Sequence, residues 1–358
     1  MKKTALIMAG GRGERFWPRS RKSCPKQFLS LTNDGKTMIQ LTVERILPLV
    51  EMEDIYISTN QDYKALVKEQ LPEIPEENIL CEPIGRNTAP CIGLGAVHMA
   101  HKLGDAVMMV LPSDHLIKYT TMFNSTLKEA CQVAEAGNNL VTLGITPDYP
   151  ETGYGYIRFQ PDQVLDNSRA FAVEKFVEKP NLEKAQEYLE SEQYLWNSGM
   201  FVWKVSTILS NFEQHMPDLY AGLKRIQSAV GTESQNSVLE KEFSLFASES
   251  IDYGIMEKAE HIYTIPGTFG WDDVGSWLAV ERINKTNEFG NTVAGNVITV
   301  NTKNSIIQGK DKLIAVVGGR NLIVVDTEDA TLICAKDSAG DIKKVLENLK
   351  ICNRNEYI

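Results

Sequence analysis

Apolar residues fall in two rhythms over the first part of the chain. Short unbroken runs at Thr4–Ala9, Asp54–Thr59, Asp105–Leu111 and Leu140–Ile145 predict buried strands. Between them, Met38–Val50 sets Ile39, Val43, Ile46, Leu47 and Val50 on one helical face, and Gln61–Leu71, Thr88–Lys102 and Thr120–Ala136 read as further helices. Continuous apolar strands alternating with helices predict a Rossmann-like α/β fold with a parallel sheet covered on both faces. Such sheets take ligands beyond the carboxyl ends of their strands. The loops after Ala9 and Leu111 are therefore the places to look for chemistry.

From Tyr154 to Glu178 the pattern turns to hairpin-like strands. Helical segments follow at Asn181–Glu190, Val205–His215 and Pro217–Val230, with an Asn197–Trp203 strand between the first two. Beyond about Gly290, β-branched runs are split by Asn, Gly and Asp turns, with no helix before Asp341–Leu349. This predicts a catalytic domain over residues 1–285 and a small β-rich domain over 286–358, strands or solenoid coils closed by a helix. With no low-complexity linker, the β-rich part is expected to pack on the main domain or on another subunit.

Composition narrows the partners. Thirty-seven Lys and Arg against 47 Asp and Glu leave a formal charge of −10, so the surface as a whole does not suit a nucleic-acid backbone. No apolar run reaches the roughly 18 residues a membrane-spanning helix needs. The six cysteines form no C-x-x-C pair, arguing against a zinc site or disulfide framework and for a reduced, cytoplasmic protein. Any anionic ligand requires a local concentration of positive charge.

One such concentration follows the first strand: Ala9-Gly10-Gly11-Arg12-Gly13-Glu14-Arg15, then Phe16, Trp17 and Pro18, running on to Pro25-Lys26-Gln27-Phe28. Glycines behind a buried strand let bare backbone N–H groups approach a phosphate. Arg12, Arg15, Arg19, Arg21, Lys22 and Lys26 lie within fifteen residues. Phe16 stands where a dinucleotide fingerprint needs its third glycine, and the Gly-Lys-Ser/Thr of a P-loop is missing. A glycine turn with a solvated basic surface is the plain alternative. A second segment, Glu82-Pro83-Ile84-Gly85-Arg86-Asn87-Thr88-Ala89-Pro90, opens the small-residue helix, with Asn87 or Thr88 suited to cap it. A third, Leu111-Pro112-Ser113-Asp114-His115, puts a carboxylate at a strand end, where Mg²⁺ is often held and where turn aspartates also occur.

The glycine-loop string and P-K-Q-F resemble the signature of the sugar-1-phosphate nucleotidylyltransferases, and the F-W-P-R-S and P-K-Q-F-L variants are similar to its mannose-1-phosphate guanylyltransferase branch. The resemblance implies that Ala9, Gly10, Gly11, Arg12 and Gly13 wrap a triphosphate while Arg15 and Lys26 neutralise it. It implies nucleotide contacts from Glu82, Arg86, Asn87, Thr88 and Ser113. Gly270-Trp271-Asp272-Asp273-Val274-Gly275 resembles the family's second carboxylate motif, making Asp114 and Asp273 a Mg²⁺ pair, with Asp272 an open alternative to Asp273. His115 is assigned to structure. Thr152-Gly153-Tyr154-Gly155, Val177-Glu178-Lys179-Pro180, Trp196-Asn197-Ser198-Gly199 and Ser250-Ile251-Asp252-Tyr253 are similar, in order, to the family's sugar-phosphate motifs, implying contacts from Gly153, Tyr154, Gly155, Glu178, Lys179, Asn197, Gly199 and Asp252. The C-terminal stretch looks like the short left-handed β-helical tail of bacterial members. Larger relatives append an isomerase domain, and no segment for one is expected here.

The implied reaction joins GTP and mannose 1-phosphate, with Mg²⁺, into GDP-mannose and diphosphate. A homodimer is implied by family analogy. A phosphate monoester is already anionic at neutral pH, so no general base is needed and catalysis must come from positioning and electrostatics. Three rivals stand beside this reading. They are transfer to another sugar phosphate or from another nucleotide, a silent nucleotide-sugar-binding regulator, and a dehydrogenase, which Phe16 disfavours.

Overall fold

A computed structural model describes residues 1–32 and 34–358, which divide into two compact units. The first comprises Met1–Gly10, Val43–Pro112 and Ile117–Trp271; the second comprises Gly11–Thr42, Ser113–Leu116 and Asp272–Ile358. The glycine-rich loop beyond Gly10 thus shares a unit with everything after residue 285.

Elements begin with β1 (Lys3–Met8), α1 (Met38–Ile46), β2 (Ile55–Asn60), α2 (Lys64–Gln70), β3 (Ile79–Glu82), α3 (Thr88–Leu103), β4 (Val107–Pro112) and β5 (Leu116–Ile117). Then come α4 (Thr120–Ala136), β6 (Leu140–Ile145), β7 (Tyr156–Val164), β8 (Phe171–Val177), α5 (Leu182–Ser191), β9 (Tyr194–Lys204), α6 (Val205–His215), α7 (Pro217–Ala229) and α8 (Gln235–Leu245). After these run β10 (Ile262–Gly267), β11 (Trp271–Asp272), α9 (Trp277–Ile283), six strands β12 (Thr292–Ala294), β13 (Val297–Val300), β14 (Ile306–Gln308), β15 (Ile314–Val317), β16 (Leu322–Asp326) and β17 (Thr331–Ala335), and the closing helix α10 (Ile342–Ile351).

The first unit is organised on a nine-stranded sheet of order β3-β2-β1-β4-β9-β6-β10-β8-β7. β1 pairs in parallel with β2 and β4, and β6 with β10, while β9 lies antiparallel between β4 and β6. Of the nine, β8 and β9 run against the rest. The sheet is therefore mixed and mostly parallel. The direction of β9 is invisible in its hydropathy, because a strand buried on both faces reads as an unbroken apolar run whichever way it points.

One helical layer packs unusually close. A Cβ on Gly95 of α3 would come within 2.8 Å of Leu6 in β1, and one on Gly93 within 2.5 Å of Leu223 in α7. The small-residue run that makes α3 legible thus lets it lie tightly between sheet and helix, in a core that includes Ile92, Val97, Met108, Trp203 and Phe243. Elements the pattern does not predict are the strands β3, β5, β10 and β11 and the helices α8 and α9.

In the second unit β12, β14 and β16 stack in parallel, as do β13 and β15, and β17 closes the first set antiparallel to β16. Asn301, Asn304 and Asn321 take left-handed φ values of 52°, 51° and 53° at the corners, a conformation asparagine tolerates better than most residues. Buried Asn291 ties two coils together, donating to the Thr302 carbonyl at 2.7 Å and accepting from the Ser305 N–H at 3.0 Å. The expected solenoid coils with a closing helix are found. They pack on the glycine-loop segment in a shared core of Phe16, Trp17, Trp277, Ile306, Ile323, Val325, Ile342 and Leu346. The indole of Trp277 donates to the Trp17 carbonyl at 3.0 Å, and that of Trp17 to the Tyr357 carbonyl at 2.7 Å. Among the described residues, no helix is long and apolar enough to cross a membrane.

Candidate active site

β1 and β4 lie side by side, Met8 against Pro112. At their carboxyl ends the chain passes into the second unit, through Gly11 and through Ser113. In the second unit a cavity of about 520 Å³ is lined by Arg12, Gly13, Glu14, Arg15, Phe16, Lys26, Asp114, His115, Asp273, Gly275 and Lys343. All four residues implied as catalytic, Arg15, Lys26, Asp114 and Asp273, are among them.

Lys26 is the pivot. It is 5% exposed, and its ammonium donates to the Asp273 carbonyl at 2.7 Å and pairs with Asp114 Oδ2 at 2.8 Å. Gly13, with φ 60°, makes this possible, because a Cβ there would fall 2.4 Å from the Lys26 Cβ. The loop is further set by Gln27, whose amide donates to the Gly11 carbonyl at 2.9 Å. No backbone N–H from Gly11 to Arg15 donates to a protein acceptor among the described residues. Gly10 and Gly11 have open space where a side chain would be. Ala9 differs: its N–H donates to the Ser58 carbonyl at 2.7 Å and its carbonyl accepts from Thr59 Oγ1 at 3.0 Å, both within the sheet unit.

Not all of the basic cluster faces the cavity. Arg19 donates to the Ser30 carbonyl at 2.9 Å, and Arg21 pairs with Asp329 at 2.8 Å and donates to the Pro18 carbonyl, so both brace the fold. Arg15 donates only weakly, to the Gly275 carbonyl at 3.3 Å, and Arg12 has no protein partner among the described residues. Two basic lining residues are not singled out by the sequence as part of the chemistry. His115, assigned there to structure, reaches within 3.9 Å of Asp114 Oδ1. Lys343 enters from α10. A Lys-Lys pair on an amphipathic helix reads as a solvated face, so nothing local marks it.

Asp114 titrates below the ordinary carboxyl value: burial pushes it up, but the Lys26 charge, His115 and hydrogen bonds together outweigh burial. The alternative between Asp272 and Asp273 is narrowed by their partners. Asp272 is held in a fork by Arg282 at 2.7 and 3.0 Å and caps the Val274 N–H at 2.8 Å. Asp273 lines the cavity, with Oδ1 accepting from the Gly275 N–H at 3.0 Å. Two carboxylates and carbonyl oxygens are hard donors of the kind Mg²⁺ prefers, and Mg²⁺ commonly needs only one or two carboxylates besides substrate phosphates. The Lys26 ammonium between Asp114 and Asp273 shows that this corner accommodates a cation. No cluster of three or more His, Cys, Asp or Glu suited to a metal occurs among the described residues.

The remaining candidate residues lie in the first unit and form two groups. Ser113 is the exception; it belongs to the second unit, buried, with its carbonyl accepting from Thr42 Oγ1 at 3.2 Å. Around the start of α3, Asn87 takes φ 70° and caps the Thr88 N–H at 2.8 Å, while Thr88 Oγ1 accepts from the Ile251 N–H at 2.8 Å. Glu82 is buried at the end of β3, accepts from Ser58 Oγ at 3.0 Å, and has its carboxyl pushed up by burial. Arg86 spends its guanidinium on the Phe243 and Ser244 carbonyls at 3.0 and 2.9 Å. Arg86→Ala is therefore expected to destabilise the fold by about 1.5–3 kcal/mol, the range for hydrogen bonds to a charged group. Urea unfolding followed by circular dichroism checks this, and an unchanged midpoint would show that the two carbonyl bonds contribute nothing.

The second group gathers the four short motifs. Asn197 donates to Asp252 Oδ1 at 2.7 Å and accepts from the Gly199 N–H at 3.0 Å, while its own N–H donates to the Gly155 carbonyl at 2.8 Å. A Cβ on Gly155 would lie 3.7 Å from Asn197 and 3.8 Å from the Glu178 carboxylate. Lys179 pairs with Glu178 at 2.9 Å. Tyr154 packs edge-on against Trp196 and Trp271, and Gly153 donates to Glu151 Oε1 at 2.7 Å. Asp252 has its carboxyl raised, first by burial and then by Glu178. Oxygen acceptors beside an aromatic wall suit a polyhydroxylated ring.

With this geometry in place, the likeness to known proteins is specific. Residues 4–288 match the Nucleotidyl transferase family, and residues 295–349 the MannoseP isomerase/GMP-like beta-helix domain. The chain belongs to the nucleotidyl transferase family. It is 42% identical over 363 residues to a mannose-1-phosphate guanylyltransferase of Salmonella montevideo, covering 99% of this chain and 75% of that protein. A crystal structure described as a mannose-1-phosphate geranyltransferase from Thermus thermophilus matches with TM-score 0.88 and 35% identity, over 98% of this chain and all of that one. One described as a mannose-6-phosphate isomerase from Helicobacter pylori matches with TM-score 0.61 and 28% identity, over 76% of this chain and all of that one. As a nucleotidyl transferase, the chain pairs a catalytic domain of this family with a β-helix domain, the fold class its sequence pattern implies.

Proposed function

We propose that the chain catalyses GTP + α-D-mannose 1-phosphate → GDP-mannose + diphosphate. A non-bridging oxygen of the sugar phosphate attacks the α-phosphorus of GTP in line. The new P–O bond forms as the bond to the β-phosphate oxygen breaks, and diphosphate leaves with that electron pair. The observation that carries this reading is the cavity in which Lys26, Arg12 and Arg15 meet backbone N–H groups of a glycine loop that have no acceptor among the described residues. Fixed donors of this kind stabilise charge on phosphoryl oxygens without needing a proton acceptor. The curated relatives' names supply the choice of guanosine and mannose.

Lys26 and Arg15 would neutralise the reacting phosphates, and the N–H groups of the loop would cradle the leaving diphosphate. Asp114 and Asp273 would hold Mg²⁺, which when bound supplies further neutralisation of phosphate charge. Glu82, Asn87 and Thr88 are assigned to the nucleoside, and Glu178, Asn197 and Asp252 to the sugar hydroxyls. We place the enzyme in the cytoplasm, on its six free cysteines, and as a homodimer, on the exposed apolar side chains Ile298, Val300, Leu313, Val317 and Ile333 of its β-helix.

A substrate panel tests the reaction. GTP, ATP, UTP and dTTP are each offered with mannose, glucose and galactose 1-phosphates, and diphosphate release is measured. GTP with mannose 1-phosphate is expected to give the highest kcat/KM. Faster turnover with another pair would move the specificity. No transfer with any pair, alongside interconversion of mannose 6-phosphate, would replace the reading with isomerisation.

A further inference from the structure

The C-terminal helix brings a cation into a cavity otherwise assembled around the glycine loop. Lys343 is the second residue of α10, whose Ile342 and Leu346 are both 3% exposed in the core that also holds Phe16 and Trp17. The helix backbone is therefore anchored beside the loop, while the Lys343 side chain stays exposed and lines the cavity. Its neighbours on the helix are differently engaged. Lys344 pairs with Asp341 at 2.8 Å and Lys350 stands 4.0 Å from Glu14, whereas Lys343 has no hydrogen bond or ion pair through its side chain among the described residues.

The charges around it sharpen the point. Of the acids lining the cavity, Asp114 is committed to Lys26, Asp273 caps the Gly275 N–H, and Glu14 has Lys350 as its nearest cation. Arg12, Arg15 and Lys343 are left without an acidic partner among the described residues. Three cations without an acidic partner facing one cavity, in a protein of net charge −10, create a local positive potential that a polyanion would relieve. We propose that Lys343 is a phosphate-binding residue, and that through it the β-helix domain completes the site for the terminal phosphates of the triphosphate and for the released diphosphate. The inference rests on the nucleotidyl-transfer reading and deepens it.

The test separates the two. Binding of inorganic tripolyphosphate and of GTP is measured by calorimetry for the wild type, Lys343→Ala, Lys343→Arg and, as a control, Lys344→Ala. Steady-state constants are measured in parallel. Lys343→Ala is expected to weaken both ligands about tenfold, as loss of one charge-assisted contact does, and to raise KM for GTP and for diphosphate in the reverse reaction. KM for mannose 1-phosphate and kcat should change less than about twofold, since the contact is made equally in ground and transition states. Lys343→Arg should recover most of the affinity, and Lys344→Ala should match the wild type. Unchanged binding in Lys343→Ala, equal losses in Lys344→Ala, or a wild type that does not bind tripolyphosphate would each overturn the assignment. A wild type that binds tripolyphosphate through Lys343 yet transfers no nucleotide would overturn the reaction and leave the assignment standing.

Discussion

Lys26→Ala is expected to lower kcat by about 10²–10³-fold, equivalent to about 2.7–4 kcal/mol of barrier, the cost seen when a preorganised donor to a developing oxyanion is removed. The ammonium is buried and fixed at 2.7–2.8 Å by two partners. KM for GTP should change far less, since Arg12, Arg15 and the loop N–H groups remain. Lys26→Arg should rescue little, as a guanidinium fork does not fit a point held between one carboxylate oxygen and one carbonyl. The variant carries a second signature. Asp114 now titrates below its ordinary value of 3.8 because Lys26 and His115 outweigh burial. Without Lys26, burial dominates and the carboxyl moves up, so the acid limb of the rate profile should shift to higher pH. Steady-state kinetics across pH measures both effects. A variant with near wild-type kcat and an unmoved acid limb would remove Lys26 from the reaction.

The parts of the fold that can be foreseen are those whose signal is local. The sequence delimits α4, β6 and α6 to the residue because their periodicity and boundaries lie within themselves. The direction of β9 is not local; it depends on which strands flank it, and a doubly buried strand carries no such mark. The same distinction runs through the site. Arg15, Lys26, Asp114 and Asp273 can be singled out together because each sits in a string that resembles a family motif, and the structure gathers all four in one cavity. Arg19 and Arg21 sit in such a string too, yet Ser30, Pro18 and Asp329 claim them. Arg86 reads in sequence as a ligand contact and is held by main-chain carbonyls. In the opposite sense, Lys343 becomes visible only once α10 is docked. Composition shows which charges exist; three-dimensional pairing decides which remain available.

Asp114→Asn and Asp273→Asn are each expected to reduce divalent-metal-dependent turnover at least about 10²-fold while leaving the fold intact. Each removes one unit of negative charge from the corner that would hold Mg²⁺, and an amide oxygen is a far weaker ligand than a carboxylate oxygen. The two variants should differ in what else they disturb. Asp114 pairs with Lys26, so its replacement by an uncharged amide leaves a nearly buried ammonium without an anionic partner. Asp114→Asn should therefore also lose stability, and lose it in a pH-dependent way. A carboxyl depressed in the folded state stabilises above its unfolded value, near 4, and that contribution disappears as pH falls through the lower folded value. The stability gap between wild type and Asp114→Asn should thus be full at about pH 7 and close below about pH 3.8. The Asp273 carboxylate caps a turn, and an asparagine can still accept from the Gly275 N–H. Asp273→Asn should melt like the wild type while binding metal poorly. Calorimetric titration of Mn²⁺ in the presence of GTP, with thermal melts followed from about pH 7 down to below the lowered carboxyl value, distinguishes these outcomes. Undiminished metal binding in both variants would exclude the pair as ligands, and a pH-independent gap for Asp114→Asn would remove the ion pair with Lys26 as the reason for its position.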